Sequence, residues 1–110
     1  MPASTEGVTI TLNGSPQTLR FALGAAKKIN GYFGGYVEAI QRIKKFDFDA
    51  ITAVIAAGLG KEIKDVEDAV FSTGMDSLFE DAITYLIWMS AGGREPKPWT
   101  PDTKADSGNA

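Results

Sequence analysis

The feature that most constrains this chain is a change of hydrophobic period near Phe21. In the stretch VTITLNGSPQTLRF, Val8 to Phe21, the residues Val8, Ile10 and Leu12 alternate with Thr9 and Thr11. A period of two marks a strand with one buried face. The second run repeats it, with Leu19 and Phe21 on one side and Thr18 and Arg20 on the other. Asn13-Gly14-Ser15-Pro16 supplies the turn between them. If Asn13-Gly14 alone is the loop, Val8 faces Leu19; if all four residues form it, Val8 faces Phe21 and Ile10 faces Leu19. The two registers differ by two residues, so the apolar face is the same in both. The longer loop is preferred because it keeps Pro16, which has no N–H, out of the ladder. A lone hairpin does not persist in water, so this face must lid a core built by the rest of the chain.

From Ala22 the period is helical. Ala22, Ala26, Ile29 and Phe33 share one face until Gly31, Gly34 and Gly35 interrupt it. Tyr36 or Val37, then Ile40 and Ile43, form the stripe of a second helix, which closes on the basic cluster Arg42, Lys44 and Lys45. Asp47 can cap a third helix that carries Ile51, Val54, Ile55 and Leu59, with Gly58 and Gly60 marking its end. Ile63, Val66 and Val70 mark a fourth. Asp76 or Ser77 can cap a fifth, Ser77 and Glu80 having the spacing of a capping box. The fifth stripe, Leu78, Phe79, Ala82, Ile83, Leu86 and Met89, is wide enough to be the central element of the core.

Residues 1–7 are small and polar and read as a flexible lead-in. Residues 94–110, with Pro96, Pro98 and Pro101 and no apolar period, have the composition of a disordered tail. The expectation is one globular domain over 8–93, with the hairpin at 8–21 and helices over 22–93. Its fold class is α+β: mostly helical, one N-terminal hairpin packed on a bundle of four or five helices.

Composition narrows the function. Eleven basic and fourteen acidic residues give a net charge of -3, which supplies no electrostatic footprint for nucleic acid or an anionic membrane. No apolar run approaches the ~20 residues that span a bilayer, and the start MPASTEG has no basic region followed by an apolar one. A soluble, cytoplasmic protein is expected. With no cysteine and no histidine, the commonest general base and the soft metal ligands are missing. No catalytic, metal or cofactor-binding residue is assigned, and an enzyme is not expected.

The local motifs point the same way. Ile55-Ala56, Gly60 and Val66 have the spacing of a helix-turn-helix unit. The would-be recognition helix carries Glu62, Asp65, Glu67 and Asp68 against Lys61 and Lys64, which sets carboxylates against phosphates. Asp47 with Asp49, and Glu80 with Asp81, sit where acids cap amides and complement helix dipoles. Gly31, Gly34 and Gly35 lack the setting of a phosphate loop. Asn13-Gly14-Ser15 formally matches a glycosylation sequon and reads as a turn.

Features for binding a partner remain. Trp88 falls on the polar side of the fifth helix with Ser77, Asp81 and Thr84, a candidate anchor unless the tail or Tyr32 and Tyr36 fold over it. Tyr32, Phe33 and Tyr36 form an aromatic group at the first helix break, and Trp99 lies among the tail prolines. Thr9 and Thr11 face outward from a strand whose edge is open to another chain.

In their order, LNGSPQTLRFALGAAKKI, FGGYVEAIQRI, AVIAAGLG and STGMDSLFEDAITYLIWMSAGG resemble the tail assembly chaperones of long-tailed phages, prophages and gene transfer agents. The likeness runs from about Val8 to Gly93. It implies a small viral protein that binds the long, helical tape measure protein and keeps it soluble until tail tube subunits surround it. It implies no catalytic residues or cofactor, and a homo-oligomer is compatible with coating a long helix. The rival readings are a small helix-turn-helix DNA-binding regulator and a minor structural protein of the tail.

Overall fold

The computed structural model describes residues 3–4 and 6–96. Three antiparallel strands, β1 (Ala3–Ser4), β2 (Gly7–Leu12) and β3 (Ser15–Arg20), form one sheet in the order β1-β2-β3. Five helices follow: α1 (Leu23–Phe33), α2 (Tyr36–Lys44), α3 (Phe48–Leu59), α4 (Ile63–Thr73) and α5 (Met75–Ser90). The expected α+β fold, a hairpin packed on a helical bundle, is what the chain adopts.

The hairpin uses the shorter of the two loops. Val8 pairs with Leu19, Ile10 with Gln17 and Leu12 with Ser15, so Asn13-Gly14 alone makes the turn and the four-residue loop is corrected. Asn13 and Gly14 both have positive φ, 54° and 81°, as the primed two-residue turn requires. Pro16 enters the ladder opposite Thr11 without penalty. Next to a two-residue turn, Leu12 and Ser15 are the hydrogen-bonded pair, so the nitrogen of Pro16 points to the outer edge of the sheet. A further difference lies ahead of the hairpin. Ala3 and Ser4 of the expected lead-in pair with Val8 and Gly7, so β2 has neighbours on both sides at its start.

The parity of the hairpin is as expected. Val8, Ile10, Leu12 and Leu19 are buried against the helices, and the side chain of Tyr85, fully buried, donates its hydroxyl to the Arg20 carbonyl at 2.6 Å. Below the lid, the central helix is α3, not α5. Every residue from Ala50 to Gly58 is buried, and α3 packs on α1, α2, α4, α5 and β3. A helix buried all round has no stripe, only small and β-branched residues that let neighbours approach. Gly58 is one of these and does not end the helix. A Cβ placed on it would lie 2.8 Å from Leu19 Cβ, so glycine is what lets β3 cross α3 at this distance.

The ends of the elements are set locally. Asp47 caps α3, its Oδ1 accepting from the Ala50 amide at 3.1 Å, as its position before the apolar run predicts. At α5 the helix starts two to three residues earlier than expected, at Met75 after Gly74, so neither Asp76 nor Ser77 is its N-cap. Asp76 instead accepts from the adjacent Ser77 amide at 2.9 Å. Val37 is exposed and Tyr36 half-buried, which fixes the inward face of α2 as Tyr36, Ala39, Ile40 and Ile43. In α1 the inward face is Ala25 and Ile29, Ala22 lying exposed before the helix and Gly31 inside it.

Candidate partner-binding surface

Of the aromatic residues singled out in the sequence, Tyr32 and Phe33 meet in one place. They are consecutive in the last turn of α1 and pack edge to face, ring centroids 4.8 Å apart. The Arg42 guanidinium of α2 lies over both, 5.6 Å from the Tyr32 ring and 5.2 Å from Phe33. Arg42 is aimed by Asp47, whose Oδ2 accepts from its Nε at 2.8 Å. That hydrogen bond, with the Ala50 amide adding to it, holds the Asp47 carboxyl below its ordinary range. One carboxylate therefore caps α3 and fixes the cation that seats the aromatic pair of α1. Tyr32 keeps 44% of its surface exposed.

Beside this pair runs an apolar groove of about 390 Å³ between α1 and the α3–α4 turn. Ile29, Ala53, Ala56, Ala57 and Ile63 line it, with Tyr32 and Phe33 on one bank and Lys28, Lys61 and Glu62 exposed around it. On its floor α3 presents the alanines Ala53, Ala56 and Ala57, whose short side chains leave the space open. The small residues that read in the sequence as a helix-turn-helix spacing thus shape a hollow, and α4 turns Asp65, Glu67 and Asp68 to solvent.

The remaining candidates lie elsewhere. Trp88 is half-buried, its ring stacked on Phe21 with centroids 5.9 Å apart, and Phe21 stacks in turn on Tyr85 at 5.6 Å. Phe21, at the end of the hairpin, covers one face of the Trp88 ring. Tyr36 lies on α2, where burial raises its hydroxyl pKa. Trp99 falls outside the described residues. Thr9 is half-buried and Thr11 exposed on the outer face of the sheet. Gly7 pairs with Ser4 of β1, and by the alternation of an antiparallel ladder the Thr9 and Thr11 amides point to that same side of β2.

The outer edge of β3 is blunted at both ends. Pro16 offers no donor there, and the Arg20 carbonyl is taken by the Tyr85 hydroxyl. Strand addition is therefore better served by the Thr9–Thr11 side of β2 than by β3.

A second aromatic group had no place in the sequence reading. Phe71 on α4 is 78% exposed and lines an apolar hollow with Phe48, Gly74 and Met75. Phe46, in the left-handed region at φ 58°, stacks on Phe79 with centroids 4.9 Å apart and remains half-exposed. The signal for Phe71 was present. It lies off the Ile63, Val66, Val70 stripe and one turn beyond Glu67 and Asp68, where a large apolar side chain must face water.

The carboxylates of the two pairs lie in different surroundings. Asp47 is engaged as described, Asp49 is exposed in the first turn of α3, and burial raises the Asp81 pKa with Glu80 adding to it. Among the described residues no group of three or more acidic, histidine or cysteine side chains is placed to hold a metal ion. Among them, too, no helix is long and apolar enough to cross a membrane. Comparison of the chain with protein-family models, with curated proteins and with solved structures finds no match.

Proposed function

We propose that the protein is a tail assembly chaperone of a long-tailed phage, prophage or gene transfer agent, which binds the tape measure protein in the host cytoplasm and keeps it soluble during tail assembly. The order of sequence features suggests this class. The observation that carries the reading is the groove between α1 and the α3–α4 turn, apolar in its floor and flanked by the half-exposed Tyr32. An amphipathic helix docks by laying residues at i, i+3, i+4 and i+7 into such a groove, and a tape measure protein is a long series of such helices. Capture is by surface burial alone and needs neither a nucleophile nor a metal. The exposed carboxylates of α4 support this reading over DNA binding, because they would repel phosphates.

The test is co-expression with the product of the gene immediately downstream. A long helical protein that is soluble only in the presence of this chain, and that becomes insoluble again with a folded Tyr32→Asp variant, is the expected result. An insoluble product beside abundant wild-type chain, or a downstream gene encoding no such protein, refutes the proposal.

A further inference from the structure

We propose that the C-terminal segment turns back on its own domain and sets the Trp99 ring in the hollow between the start of α1 and the end of α5. This hollow, of about 230 Å³, is bordered by Phe21, Leu23, Ala26, Met89 and Gly93, and no charged side chain lines it. Leu23 stands on its rim in the first turn of α1, with 75% of its surface exposed. The space suits a single aromatic side chain rather than the face of a helix, which needs room for residues from successive turns.

The chain itself supplies the ring. Beyond α5, Gly92 and Gly93 both lie in the left-handed region, at φ 76° and 80°, and the Gly93 amide donates to the Trp88 carbonyl at 2.8 Å, so the backbone doubles back. It passes so near Phe21 that a Cβ on Gly93 would lie 2.9 Å from Phe21 Cβ. Gly93 is thus a wall of the hollow, and Pro96, the last described residue, is half-buried. Trp99 follows three residues later, within about 10 Å of Pro96 along the chain. It is the one large apolar side chain in residues 94–110. Pro96, Pro98 and Pro101 hold their φ angles in advance, so the segment loses less freedom on docking than an ordinary one. Ala26 also borders the next depression along α1, which has Lys27 at its margin, and Asp102 lies three residues beyond Trp99. A segment that runs the same way as α1 brings this carboxylate toward that ammonium once the ring is seated. The hollow shares no lining residue with the groove of the proposed function, so the two readings stand or fall separately.

The experiment is tryptophan fluorescence of the full chain carrying Trp88→Phe, which leaves Trp99 as the one emitter. Its emission is blue-shifted from that of a free peptide of residues 94–110, and acrylamide quenches it less. Adding Leu23→Asp, which alters an exposed side chain, moves the emission to the red and raises the quenching to the level of the peptide, with the fold checked by circular dichroism. Should Trp88→Phe fail to fold, methyl NMR of the otherwise wild-type chain reads the same contact: Trp99→Ser removes a ring-current shift from the Leu23 and Met89 methyl groups. Trp99 emission and quenching equal to those of the peptide overturn the inference. So does a protected ring indifferent to Leu23→Asp, or protection that appears only as protein concentration rises, which places the ring on another molecule. Leu23 and Met89 methyl resonances unmoved by Trp99→Ser overturn it as well.

Discussion

Replacing Tyr85 by Phe keeps the ring stacked on Phe21 and removes only the hydroxyl that donates to the Arg20 carbonyl at 2.6 Å. The side chain is fully buried, so the change deletes a hydrogen bond that water does not readily replace. A bond of this kind contributes about 1–2 kcal/mol once the stranded carbonyl is counted. For a domain of this size that lowers the melting temperature by roughly 5–10 °C. The same hydroxyl makes the effect depend on pH. Burial raises the Tyr85 pKa far above the ordinary 10.0, with the nearby Tyr36 adding to it. Above the ordinary value the unfolded chain loses this proton while the folded chain keeps it, so stability falls as pH rises. One unit above, near pH 11, the wild type has lost about 1.4 kcal/mol from this group and the variant none. Urea unfolding at pH 8 and near pH 11 therefore shows the variant less stable at the lower pH and the two curves nearly coincident at the higher. Titration of lysines and of other tyrosines affects both chains and drops out of the difference. A gap of the same size at both pH values, or no gap at either, refutes the assignment of this bond.

Trp88→Ala removes a ring stacked on Phe21 and lowers stability by about 1–3 kcal/mol, read as a shift in the thermal midpoint; an unchanged midpoint would mean the ring is a free anchor. Asp47→Ala strips the α3 cap and costs about 0.5–2 kcal/mol at neutral pH by chemical denaturation. The depressed Asp47 pKa makes its contribution full above the ordinary 3.8 and progressively lost as pH falls through the lower folded value, so the gap between the two chains narrows in acid. Gly58→Val drives a branched side chain onto Leu19 and destabilises by about 1–3 kcal/mol or prevents folding; stability equal to wild type would show that β3 can move away from α3.

The two hydrophobic periods carried most of the architecture. Alternation over Val8 to Leu12 placed the buried face of the hairpin, and the position of Asp47 before an apolar run placed the start of α3. The register misled because Pro16 was judged as though its strand were central; on an outer strand its nitrogen needs no partner. The central helix was misjudged for a related reason. α3 is apolar all round, so it shows no narrow stripe, while α5 shows a broad one, of which Phe79 and Ile83 stay only half-buried. Trp88 marks the limit for the site. Its polar neighbours in the helix were read correctly, yet a residue 67 positions earlier, Phe21, covers it, and only the tertiary fold brings them together. Phe71 is the reverse case, legible from helical spacing once an exposed aromatic between acids is taken as a signal.

The blunted β3 edge has a consequence for how copies of this chain can add to one another. A ladder that extends through copy after copy needs two receptive margins on each sheet, each of which both gives and takes hydrogen bonds. With Pro16 and the Tyr85 hydroxyl occupying one margin, backbone pairing is left, among the described residues, with the short Thr9–Thr11 segment on the other. Two molecules joined through that single margin satisfy each other by a two-fold axis and stop. Continued growth would therefore have to run through side chains, whose fit and charge select the neighbour, instead of through a backbone that accepts any extended segment.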